Sequence, residues 1–162
     1  MDLYLLRHGD AAEPGMTRDA ERPLTEAGTK KIKKIANGMR SMNLSFDSII
    51  TSPYRRAKET AEIVCEVLEC VSLISMSPNL VPDGEPAAIL KELNEDYSRR
   101  KKILLVGHEP NLSALISVLI SGRHDVSMKL KKGGLCKLFA DTLRFGKCAT
   151  LEWLVGPSQI IR

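Results

Sequence analysis

Aromatic residues are scarce in this sequence, at 4% of 162 positions, and few lie near its basic clusters. Those clusters are Lys30-Lys31 with Lys33-Lys34, Arg99 to Lys102, and Lys129 with Lys131-Lys132. Without rings to stack on bases they read as solvated faces, and no nucleic-acid partner is expected. The net charge of +4 leaves long-range attraction of some other anionic partner as a separate property. No run approaches the roughly 18 apolar residues of a membrane span; Leu112 to Ile120 is interrupted by Ser113 and Ser117. No basic region precedes the apolar residues that follow Met1-Asp2, so no secretory signal is read, and a cytoplasmic protein without a membrane partner is expected. Cys65, Cys70, Cys136 and Cys148 form neither a Cys-x-x-Cys pair nor a zinc-like spacing. Reduced thiols in a reducing compartment are the natural expectation.

What is present suits one folded unit. Apolar residues make up 43% and charged residues 27%, a balance that supports a core and argues against disorder. A single domain over residues 1–162 is expected. Short apolar runs alternate with amphipathic segments. Leu3 to Leu6 reads as a buried strand. From Thr25 to about Met42, Ala27, Ile32, Ile35, Ala36 and Met39 recur at helical spacing, with Thr25 as N-cap and Leu24 as a staple ahead of it. Phe46 to Thr51 reads as a second strand, and Ser52-Pro53 as the cap and first-turn proline of a helix carrying Ala57, Ala61, Val64, Cys65 and Leu68 on one side. A third strand is expected over Val71 to Ile74, a loop over Pro78 to Pro86, and a short helix from Ala87 to about Glu95. Ile103 to Val106, apolar throughout, suits a central parallel strand. A helix running to about Ser121 stops at Gly122, and Leu135 to Phe139 and Ala149 to Val155 close the pattern as strands. Such alternation implies an α/β fold with helices on both faces of a sheet.

Two of the three histidines fall at equivalent places. His8 and His108 each follow an apolar strand after one intervening residue, and ligands in open α/β sheets bind beyond the carboxyl ends of strands. The alternatives are structural histidines bonded to loop backbone, or ligands of a metal. A metal site is disfavoured, because no close His/Asp/Cys set exists and Arg7 beside His8 would repel a cation. An anion fits better. Arg7 offers a fixed fork of donors, and Arg55 and Arg56 lie at a helix start, where backbone N–H groups are unpaired. Arg56 can also be read as an exposed surface arginine. A neutral imidazole can attack phosphorus in line, with arginines and a protonated second histidine holding the equatorial oxygens.

Leu5-Leu6-Arg7-His8-Gly9, the run Ser52 to Ala61, and Val106-Gly107-His108 resemble, in order, the signature of the histidine phosphatase superfamily. Arg22 to Gly28 and Gly107 to Ser113 further resemble the SixA-type phosphohistidine phosphatases. The resemblance implies a three-layer α/β/α sandwich around a mainly parallel sheet. It implies a cofactor-free, metal-independent phosphatase in which His8 is the nucleophile and Arg7, Arg56 and His108 bind the phosphoryl group. Arg56 takes this role rather than Arg55 because the family's arginine directly precedes the alanine. Arg22 matches a position near the pocket. The acidic proton donor of larger relatives has no clear match here; Asp83 and Glu85 occupy the equivalent region. Because an alkoxide leaving group needs a proton more than an imidazole does, the expected substrate is a phosphohistidine-carrying signalling or phosphotransfer protein. A small phosphate ester, or a non-catalytic phosphoprotein-binding role, is the alternative.

Overall fold

The computed structural model describes residues 1–70 and 73–161. Eleven elements organise them in chain order: β1 (Asp2–Arg7), α1 (Glu26–Ser41), β2 (Ser48–Thr51), α2 (Arg55–Leu68), β3 (Ile74–Met76), α3 (Pro86–Asp96), β4 (Lys102–Gly107), α4 (Asn111–Ser121), β5 (Leu135–Phe139), β6 (Thr150–Val155) and α5 (Pro157–Ile160). Short 3₁₀ turns lie at Asp19–Glu21 and Pro78–Leu80. The strands form one six-stranded sheet in the order β3-β2-β4-β1-β5-β6. β4 pairs in parallel with both β1 and β2, and only the β5 pairings are antiparallel. Among the described residues, no helix is long and apolar enough to cross a membrane.

The two-sided apolar runs have a simple consequence. Successive strand side chains point to opposite faces, so Ile103 and Leu105 enter one core while Leu104 and Val106 enter the other. The first core is closed by Leu90 and Leu93 of α3 and by Leu112, Leu115 and Leu119 of α4. The second is closed by Ile32, Ile35 and Met39 of α1 and by Ala57, Ala61 and Val64 of α2. The result is the expected three-layer sandwich, with β1 and β4 buried in its middle.

Local expectations hold in some places and shift in others. Thr25 caps α1, its hydroxyl accepting from the Gly28 N–H at 2.9 Å. Ala27, however, is exposed and Gly28 is buried, because position 28 lies one helical repeat before Ile32 and position 27 does not. A Cβ at Gly28 would sit 2.1 Å from the Asp10 carbonyl oxygen, so only glycine lets α1 close on the loop after β1. The helix expected at Ser52-Pro53 begins at Arg55 with Tyr54 as its N-cap, since the Ser52 hydroxyl instead folds a local turn by accepting from the Tyr54 N–H at 3.2 Å. β2 is shorter than expected, starting at Ser48. The third strand is Ile74–Met76; of the expected span from Val71, residues 71 and 72 lie outside the described residues.

Candidate active site

Sheet register brings the two histidines together. Arg7 of β1 stands opposite Gly107 of β4, so the next residue after each strand, His8 and His108, leaves the sheet at the same point. The His8 N–H donates to the Gly107 carbonyl at 3.1 Å, and the Ser52 N–H to the Val106 carbonyl at 2.9 Å. The carboxyl ends of β1, β4 and β2 are thereby tied into one rim. The two imidazole centroids lie 4.8 Å apart.

His8 is buried, with its Nδ1 2.7 Å from the Gly9 carbonyl oxygen. A carbonyl only accepts, so Nδ1 carries the proton and Nε2 the lone pair. Arg56 Nε donates to that Nε2 at 3.2 Å. Burial lowers the His8 pKa to about 4; the bond to Gly9 opposes the shift, and the charges of Arg56, Arg7 and Lys132 add to it. The ring is therefore neutral near pH 7. Gly9 has no space for a side chain, since a Cβ would meet Ile32 Cγ1 at 2.7 Å.

His108 Nε2 shares a 2.8 Å hydrogen bond with the Ser52 hydroxyl, and the ring packs edge-on to Tyr54 at 5.2 Å. Its Nδ1 is buried without a partner among the described residues. Burial, followed by the proximity of His8 and Arg56, lowers its pKa to about 3; Asp19 opposes this in part. The expected protonated second histidine is thus corrected. In the pocket by itself His108 is neutral, because it is buried among cations.

Arg56 is only 5% exposed, which removes the surface-arginine reading. Its NH1 donates to the Asp19 carbonyl at 2.7 Å and its NH2 to Asp19 Oδ2 at 3.1 Å. The guanidinium carbon also lies 5.2 Å from the Tyr54 ring centroid. Arg55 points away and pairs with Glu59 at 2.7 Å. Thr60 fixes the helix to the loop: its hydroxyl donates to the Arg56 carbonyl at 2.7 Å and accepts from the Gly9 N–H at 3.1 Å. Arg7 NH1 donates to the Leu130 carbonyl at 3.0 Å, while its Nε is buried and unpartnered among the described residues. Arg22 reaches the site through Asp19: its NH1 lies 2.6 Å from Asp19 Oδ1, and its Nε 2.7 Å from the Ala12 carbonyl.

Asp19 is the carboxylate that sequence reasoning missed. Partial burial alone would raise its pKa, but hydrogen bonds from Arg22 and Arg56, reinforced by the Arg56 and Arg22 charges, outweigh this and hold it below the usual carboxylate range. Asp83 and Glu85 are exposed and bond to none of the histidines or arginines of the site. Ser52 and Thr60 stood inside the recognised run, yet nothing in their spacing announced which groups they would hold. The assembled site is an electropositive pocket around an unprotonated imidazole nitrogen. It is suited to an anion with an electrophilic centre and hostile to a cation.

Known proteins resemble this chain in sequence and in fold. Residues 3–80 match the family described as histidine phosphatase superfamily (branch 1). The phosphohistidine phosphatase SixA of Escherichia coli is 31% identical over 126 residues, which cover 75% of this chain and 76% of that protein. The solved structure of a protein histidine phosphatase SixA with tungstate superposes with a TM-score of 0.86 at 23% identity, covering 99% of both chains. A putative alpha-ribazole-5'-P phosphatase from Escherichia coli shares the fold at a TM-score of 0.78 and 20% identity, covering 97% of both chains.

Proposed function

This chain belongs to the histidine phosphatase superfamily, and on that basis we propose that it is a phosphohistidine phosphatase acting on a phosphorylated protein. In the proposed first step, the His8 Nε2 lone pair attacks phosphorus and the P–N bond to the substrate imidazole breaks, its electrons returning to the leaving nitrogen. In the second, water attacks the phosphoryl group on His8, the new P–N bond breaks, and inorganic phosphate leaves. Arg7, Arg56 and His108 hold the equatorial oxygens, and Arg22 acts through Asp19. A buried polar group left without a partner costs about 1–3 kcal/mol, so Arg7 Nε and His108 Nδ1, both unpartnered among the described residues, support a pocket completed by an oxyanion.

The state of Asp19 carries the choice of substrate class. It is the carboxylate bonded to the arginines of the site, and those arginines hold it ionised. An ionised carboxylate is a poor proton donor, and an alkoxide leaving group would need one. The imidazole of phosphohistidine is a better leaving group and needs less help. The relationship to SixA points the same way.

A small-molecule phosphomonoesterase using the same nucleophile is the second reading, favoured by the shared fold of the putative alpha-ribazole-5'-P phosphatase. Turnover of a phosphohistidine protein, measured against a panel of phosphomonoesters with His8→Ala as control, separates them. A kcat/KM at least tenfold higher for the phosphohistidine protein is expected, a difference of about 1.4 kcal/mol in transition-state binding. Preference for a sugar phosphate would reverse the assignment. Binding of phosphoprotein without release of phosphate from any substrate would make the chain a recognition module.

A further inference from the structure

A second feature adjoins the phosphoryl pocket. A groove of about 730 Å³ opens beside Arg7, with Lys31, Lys129, Lys131 and Lys132 along its walls and Asp10 as its acidic side chain. The charge is strongly one-sided. Asp10 is shared between Lys31 at 3.2 Å and Lys132 at 3.7 Å, and Lys129 and Lys131 are exposed and make no ion pair among the described residues. Gathering like charges in this way opposes the compact state, so the fold by itself gives no reason for the cluster.

The lysines are held there by the site. Leu130 is buried in the core that α3 and α4 close, while Lys129 and Lys131 on either side of it are exposed. The Leu130 carbonyl accepts from Arg7 NH1 at 3.0 Å, and the Gly133 N–H donates to the carbonyls of Arg7 and His8 at 2.9 and 3.2 Å. The basic segment is thus bonded directly to the strand end that carries His8. Arg7 belongs to both the pocket and the groove, so an anionic surface in the groove would lie beside the reacting phosphorus.

We infer that this groove docks an acidic surface flanking the phosphohistidine of the substrate protein, an inference that rests on the substrate class proposed above. Ammonium groups on flexible stems, spread along a groove far larger than one phosphoryl group, suit dispersed carboxylates. A compact polyphosphate is better met by converging guanidinium forks. The lining contains no aromatic side chain on which a base could stack. Exposed charges of this kind speed encounter and select partners, and their effect falls with salt.

The test compares two phosphohistidine peptides, one flanked by glutamates and one by lysines, with phosphoramidate as a substrate too small to span from the phosphoryl pocket to Lys129 and Lys131. In the wild type, kcat/KM for the glutamate peptide is expected to exceed that for the lysine peptide and to fall with ionic strength. The double variant Lys129→Glu/Lys131→Glu is expected to lose about tenfold on the glutamate peptide and to hydrolyse phosphoramidate at the wild-type rate, which also shows that it is folded. Equal turnover of both peptides, unchanged in the variant, overturns the groove inference alone. If the variant loses inhibition by inorganic tripolyphosphate but keeps its rate on the glutamate peptide, the groove serves a small polyanion and the inference is likewise overturned. If the wild type hydrolyses a phosphomonoester and neither peptide, the substrate class falls and the docking inference with it.

Discussion

Arg56 Nε donates to His8 Nε2 across 3.2 Å, so the buried arginine and the proposed nucleophile meet at the nitrogen that would attack. The contact orients the ring and opposes its protonation, because a proton on Nε2 would face the guanidinium. A phosphoryl group arriving there would take the arginine as its own partner, freeing the lone pair at the moment it is needed.

The pH dependence follows from this arrangement. With the His8 pKa lowered to about 4, the acid limb of kcat/KM is expected near pH 4 rather than near 6.5, the ordinary histidine value. Stability should move in the same direction. The unfolded chain binds protons at both histidines below about pH 6.5, whereas the folded one resists until about 4 at His8 and about 3 at His108. Stability is therefore full above about 6.5, declines as pH falls from there to the folded values, and levels off below them. A pH–rate profile and urea titrations at several pH values check both; an acid limb at 6.5 would mean that His8 is solvated and not held by Arg56.

The neighbouring arginines should behave differently. Replacing Arg56 by Ala removes a donor aimed at the reacting group and is expected to lower kcat by about 10²–10³. Arg56→Lys should recover little, because the fork is lost. Arg55→Ala removes only an exposed pair with Glu59 and should change kcat/KM by less than about twofold. Steady-state kinetics on the three variants decide the point, and equal losses at both positions would contradict the assignment.

Asp19 is the carboxylate that Arg56 holds. Asp19→Asn removes its charge, so inorganic phosphate is expected to inhibit about threefold more strongly, a modest effect because the carboxylate is half-exposed. Weaker inhibition would show instead that Asp19 chiefly holds Arg56 in place.

Leu104 sits in the central strand and is fully buried. Leu104→Ala is expected to destabilise the fold by about 2–5 kcal/mol, read as a lower urea midpoint with little change in slope. An unchanged midpoint would contradict the sheet order.

Much of this was legible because it is local or periodic. The unbroken apolar run Ile103 to Val106, the cap at Thr25 and the stop at Gly122 depend on neighbours within a turn or two, and each is where the residues place it. The pairing of His8 with His108 followed from a general property of parallel strands. Asp19 was not legible, since its bond to Arg56 joins residues 37 positions apart and depends on how the loop after β1 folds back over α2. The neutrality of His108 was missed for a related reason: burial sets the proton balance, and burial depends on every layer around the ring. The start of α2 shifted because the Ser52 hydroxyl bonds to Tyr54 and His108, a choice that only the assembled site makes.

The most direct test of the central claim is rapid-quench trapping during turnover of a phosphohistidine protein labelled on phosphorus. The expected result is an acid-labile phosphoenzyme that forms before phosphate is released, maps to His8, and disappears with turnover in His8→Ala. Steady phosphate release without a trapped phosphoenzyme, or undiminished turnover by His8→Ala, would contradict it.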